Sequence, residues 1–275
     1  MTVTDAAPPA AATVLAKAAF GDDPARWPLP AARTAHELWL RAVVAGGQGR
    51  YASAFADLDR AHRVASAGPL ASLAHSTRGS FLRQLGWHDR ARTCDGQAWA
   101  LTAPLPDREA GADALIGLAA DALGVGRFAA SERLLKRAHH LLADGPPLPE
   151  RLPVRLAWVT AELAMASGNG ATAVGHAERA VELARTRLGS ARHAVKSEVV
   201  LAAALCSAGE LERSRVVADG ALETTERLGL VPLRWALASL LADIGSAAHS
   251  AAQVVSIRDT CSDTVRVRGG LWSDG

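Results

Sequence analysis

The chain has 275 residues, 49% of them apolar, and carries 30 basic and 28 acidic side chains for a net charge of +2, which is ample material for a core and excludes wholesale disorder. The apolar share is dominated by Ala, Leu and Val, with four Phe and one Tyr, a composition suited to closely packed helices and poor in the aromatic and β-branched residues of sheets. Both signs of charge are interspersed, so no basic face for nucleic acid is expected. The three scattered cysteines, with no C-x-x-C pair, argue for reduced thiols rather than a disulfide framework or zinc.

In chain order, residues 1–33 are Ala- and Pro-rich and are read as a partly ordered N-terminal segment lacking the basic-then-apolar pattern of a signal peptide. Helices then pair across tight turns: 34–47 with 51–66, 70–84 with 88–101, 109–124 with 128–143, 151–167 with 171–187, and 191–207 with 211–228. A sixth pair is placed at 232–244 with 247–261. The connections Ala65 to Leu70, Leu101 to Glu109, Asp144 to Pro153, Thr186 to Ala191 and Arg227 to Val231 each contain Gly or Pro, which stop helices. The expected array spans 34–262, and the tail 263–275 either caps it or hangs free. No apolar stretch approaches 18 residues without a charge, so a cytoplasmic protein with no membrane span is expected.

A recurring turn sets the register. Gly49-Arg50-Tyr51, Gly86-Trp87-His88, Gly126-Arg127-Phe128, Gly168-Asn169-Gly170 and Gly209-Glu210-Leu211 have glycines 37, 40, 42 and 41 residues apart. Around each glycine, three offsets hold only small residues. Seven before it stand Ala42, Gly79, Ala119, Ala161 and Ala202; five after it Ala54, Ala91, Ser131, Ala173 and Ser214; twelve after it Ala61, Ala98, Ala138, Ala180 and Ala221. Two antiparallel helices approach closely only where both present small side chains at the crossing. A larger residue beyond the glycine (Tyr51, His88, Phe128, Leu211) can plug the end of the pair; the fourth turn carries Gly170 instead.

The arrangement Gly-x-Tyr-x-x-Ala at Gly49, Tyr51 and Ala54, followed by Ala61 and preceded by a small residue seven places earlier, resembles the tetratricopeptide repeat over roughly residues 34–245. The spacing near 40 exceeds that family's 34, and several units lack its large aromatic in the second helix; the longer connections account for the spacing. The resemblance implies an all-α, right-handed α-solenoid of five to six helix–turn–helix repeats.

Few residues invite chemistry. Gly46-Gly47-Gln48-Gly49 follows a helix and has no Lys-Ser/Thr after it, so it is not a phosphate loop. His139 and His140 point about 100° apart on a helix with no acidic or His partner three or four residues away. No nucleophile elbow or H-E-x-x-H occurs, and no catalytic residue, metal or cofactor is expected. One constellation stands out. Ten residues before the turn glycine, three of seven tryptophans share an offset: Trp39, Trp158 and Trp235. In proteins the array resembles, that offset faces the concave groove where peptides bind; equally, tryptophans at helical spacing pack between successive pairs. Neighbouring groove offsets supply Arg83, Arg155, Glu162 and Lys196. The reading is a non-enzymatic protein- or peptide-binding scaffold with a partner carrying an acidic segment. The alternative is a ligand- or peptide-sensing module of bacterial transcriptional regulation acting through a protein partner.

Overall fold

The computed structural model describes residues 10–102 and 107–273, and every regular element among them is helical. Residues 103–106 of one connection, 1–9 of the N-terminal segment and 274–275 of the tail lie outside the described residues. Thirteen helices follow in order among the described residues: α1 (Ala11–Phe20), α2 (Ala35–Gly47), α3 (Tyr51–Val64), α4 (Pro69–Gln84), α5 (His88–Thr102), α6 (Arg108–Gly124), α7 (Phe128–Ala143), α8 (Arg151–Ala166), α9 (Gly170–Leu183), α10 (Ala191–Ser207), α11 (Leu211–Arg227), α12 (Val231–Ile244) and α13 (Ala251–Val267). A short π-helical stretch, Ala184–Leu188, extends α9. From α2 onward the helices pack as consecutive antiparallel pairs, and the first helix of each pair also packs on the first helix of the next. The fold is an all-α solenoid. None of its described helices is long and apolar enough to cross a membrane.

The five turn glycines all adopt left-handed backbone, with φ between 73° and 88°. The residue after each donates its N–H back across the turn, as in Arg50 to the carbonyl of Ala45 at 2.8 Å and Glu210 to that of Leu205 at 2.9 Å. This geometry satisfies carbonyls left over at a helix end, and a side chain at the glycine would strain it. All fifteen small residues of the repeat register are buried. Ser214 keeps its hydroxyl satisfied by donating to the carbonyl of Ala202 at 2.7 Å. At the fourth turn, a Cβ on Gly170 would stand 2.7 Å from the Ala208 backbone. The next unit's helix end fills the place that a plug occupies elsewhere, so glycine there reflects close backbone approach.

The ends of the array depart from the sequence reading. Within the segment expected to be partly ordered, Ala11–Phe20 forms α1, which buries Leu15, Ala18 and Ala19 against the array, one helical stripe. The carbonyl of Gly21 then accepts the N–H of Ala191 at 3.0 Å, pinning α1 to the start of α10. At the other end, a capping box between Ser250 and Gln253 opens α13 four residues later than expected, and the helix runs to Val267, beyond the expected array limit at 262. The chain then folds back on the first two pairs. Ala52 donates to the carbonyl of Arg268 at 3.0 Å, and Arg268 Nη1 to that of Gln48 at 2.7 Å. Val265, Val231 and Trp272 share one apolar cluster with Tyr51, Phe81 and Leu85. First and last units meet through the returning tail, so the ends of the solenoid touch and its concave face becomes a recess ringed by the repeats.

Candidate functional site: a cavity on the concave face

The closed array surrounds a cavity of about 500 Å³, within the roughly 300–1,000 Å³ range of small-molecule sites. Its wall comes almost wholly from the first helices of the pairs, α2, α4, α6, α8, α10 and α12, with Phe20 of α1 added at one end. The pairing rule explains why: the first helix of each unit faces inward, so residues at equal distances from the turn glycine recur around one hole.

Trp39 and Trp158 line this cavity and also tie neighbouring units together. Trp39 donates its indole N–H to Thr77 Oγ1 at 2.9 Å, from α2 to α4; Trp158 donates to Ser197 Oγ at 2.8 Å, from α8 to α10. Each ring therefore has its polar edge satisfied between pairs; Trp39 is otherwise largely buried in the core and borders the cavity with only part of its ring, while Trp158 is partly exposed to it. Trp158 stacks on His193 with centroids 5.4 Å apart, and Phe20 lies 5.5 Å from Trp39. Trp235 stands apart from the cavity-lining residues. It packs on Trp272 of the returning tail at 4.4 Å and serves the closure.

Five cationic side chains, Arg83, Arg151, Arg155, Arg192 and Lys196, line the cavity against two carboxylates, Asp113 and Glu162. The three cations expected from the sequence reach the wall, but each already faces a carboxylate. Arg83 is gripped by Asp95 and, at 2.7 Å, by Asp121. Arg155 pairs with Asp113, and Lys196 with Glu162 at 3.4 Å. Burial beside Asp95 pushes the Asp121 carboxyl up to about 7 despite Arg83, while the two aspartates hold Arg83 above its ordinary value despite burial. Asp95 fits there because Gly79 and Gly117 flank it, where a Cβ would stand 2.5 Å and 2.4 Å from its carboxylate oxygens.

Among the lining residues that escaped the sequence reading are Arg151, Arg192, His193 and Phe20. Arg151 is buried and bonded to Asp113 at 2.9 Å and Glu109 at 2.6 Å. Arg192 lies over Gly47 of α2, where an added Cβ would sit 3.0 Å from its Cδ. A signal was present. Arg151 and Arg192 precede Arg155 and Lys196 by four residues, one turn back on the same helix face. His193 is buried, with Nδ1 2.9 Å from Ser190 Oγ, and burial among three arginines holds its pKa well below the usual imidazole range, leaving the ring neutral. Burial, reinforced by neighbouring guanidinium charge, lowers Arg155 and Arg192 each to about 10. The cavity is thus aromatic-walled, with every wall cation but Arg192 paired to a carboxylate, and there is no cluster of potential metal ligands among the described residues.

No protein-family model matches the chain, and no curated protein does. Among solved structures, the chain is similar to a Signal Transduction ATPase with Numerous Domains protein with a tetratricopeptide repeat sensor from Pyrococcus horikoshii: TM-score 0.54, 13% identity, 85% of this chain and 36% of that one covered. A second similarity, to the apo form of RapI, has TM-score 0.43, 12% identity, and covers 85% of this chain and 64% of the other. The chain spans less than two thirds of the length of either. At this identity the first likeness is one of fold, helical repeats stacked as a solenoid.

Proposed function

We propose that this chain is a non-enzymatic, tetratricopeptide-like binding protein that takes a short acidic peptide, or the acidic end of a longer partner, into its concave recess. The observation that carries the reading is the composition of the cavity wall. Two tryptophans with satisfied N–H groups present apolar surface beside five cationic side chains on α4, α8 and α10. Aromatic and Arg side chains dominate recognition energetics, and the one wall cation without a carboxylate among the described residues, Arg192, favours acidic ligands over basic ones.

Closure alters the expected mode of binding. An open groove would receive an extended segment running along it, whereas a chamber of about 500 Å³ holds only a few residues. The test is fluorescence titration of the intrinsic tryptophans with acidic peptides of three and ten residues and with their lysine counterparts. The reading predicts that the short acidic peptide binds about as tightly as the long one and that the lysine versions do not bind. Indifference to charge, or binding that grows steadily with length, would refute it.

The recess also supports the sensing alternative. A ligand that completes the wall contacts α1, α8 and α10 together, and α1 and α10 are joined through Gly21 and Ala191. Occupancy is then coupled to how the ends of the array are held.

A further inference from the structure

Resting on the reading of the cavity as a ligand site, a more specific assignment follows from one side chain. Of the five cations on the wall, four have a carboxylate within ion-pair distance. Arg192 has neither a hydrogen bond nor an ion pair among the described residues, and its Nε is shut off from solvent without a partner. Around it stand Arg151 and Arg155, which add repulsion, and a neutral His193. Holding an unanswered guanidinium in such a place costs stability, and the same fold shows how readily it supplies carboxylates elsewhere. Beside this cluster lie the apolar faces of Phe20, Trp39 and Trp158; Phe20 sits 5.8 Å below the Arg151 guanidinium.

We propose that Arg192, with Arg155 beside it, forms an anion subsite that receives the carboxylate or phosphate of a ligand whose apolar or aromatic body lies against Phe20, Trp39 and Trp158. The planar fork of Arg192 suits either anion, since both present two oxygens at matching spacing. Arg151 stays bonded to Asp113 and Glu109 and orients the cluster rather than touching the ligand. The unligated protein carries the cost of the lone charge, and the anion removes it.

This arrangement predicts an inverse relation between stability and binding. The probes are benzoate, phenyl phosphate and neutral benzamide, followed by thermal melting and isothermal titration on the full chain. Benzoate or phenyl phosphate should raise the melting temperature where benzamide does not, and the tighter of the two anions identifies the ligand's head group. Arg192→Met should leave the unligated melting temperature unchanged or raised, while weakening the anion more than tenfold; Arg192→Gln should lose the anion equally. A lower melting temperature or a failure to fold in Arg192→Met would overturn the inference, because a partnerless guanidinium cannot be what holds the fold. Equal affinity for benzamide and both anions would overturn it too. Acidic peptides that bind Arg192→Met as tightly as the unaltered chain would leave the proposed function standing and remove this subsite alone. Anion binding that depends on Arg192, with no peptide bound, would uphold the subsite and remove the peptide.

Discussion

The backbone N–H of Ser273 donates to the carbonyl of Leu85 at 2.8 Å, tying the end of the described chain to the turn between α4 and α5, far away in sequence. Trp87 of that same turn donates its indole N–H to the carbonyl of Leu271 at 2.7 Å. With Trp272 seated on Trp235, these contacts make the returning segment a strap that holds the last pair against the first two. Trp272→Ala should therefore destabilise the chain by about 2 kcal/mol, less than a fully buried tryptophan because the ring is only partly buried. Hydrogen exchange should accelerate at Ala52 and in the α4–α5 turn, far from the substitution in sequence, while α6 to α9 stay protected.

The crossing alanines fix how closely each pair can pack. Ala161 and Ala202 have no exposed surface, so leucine at either should overpack its pair and cost roughly 1–3 kcal/mol in a thermal or denaturant melt. Glu178, exposed and paired only with Arg213 at 3.2 Å, should tolerate alanine within about 0.5 kcal/mol. Equal tolerance at the three sites would show the repeat register to be wrong.

Glycines inside helices separate into two kinds. Gly220 of α11 has open space where a Cβ would go, so Gly220→Ala should stabilise by about 0.5–1 kcal/mol through helix propensity. Gly46 of α2 lies under the Phe81 ring, 2.2 Å from the position of an added Cβ, and Gly46→Ala should destabilise instead. Urea titrations of the two variants check the opposite signs.

The Asp95–Arg83–Asp121 group predicts a pH dependence. Asp121 has its carboxyl raised from the ordinary 3.8 to about 7, chiefly by burial. Between those values the folded chain binds a proton at Asp121 that the unfolded chain has released, so this group's contribution to stability falls as pH rises through that window. Asp121→Asn has no such proton. The stability of the unaltered chain relative to this variant should decline from pH 4 to pH 7 and level off above; a difference independent of pH would contradict the assignment.

Much of the architecture was readable because it is local. A glycine that needs positive φ, a small residue at each crossing and a connection holding Gly or Pro recur at one spacing, and the helix starts at Tyr51, His88, Phe128 and Leu211 fall where that spacing puts them. Closure was not readable. It depends on the accumulated rotation of successive pairs and on where α1 and residues 268–273 land, and no short-range pattern encodes that sum. The offset of Trp39 and Trp158 does face the interior, but Trp235 at the same offset is taken up by Trp272, a contact between distant segments. Likewise Arg83, Arg155 and the Asp113 partner of Arg155 sat at legible groove offsets, while Asp95 and Asp121, the partners of Arg83 from neighbouring helices, did not. Arg192 gains its interest from having no such partner among the described residues, a property of the assembled fold alone.

The central claim is that ligand enters the chamber ringed by the first helices and α1. Hydrogen–deuterium exchange, comparing the chain alone with the chain saturated by the three-residue acidic peptide, tests it most directly. Slowed exchange is expected in α1, α8 and α10, with α7, α9 and α11 on the outer side unchanged. Protection confined to those outer helices, with α8 and α10 exchanging as before, would place the ligand outside the cavity and contradict the account.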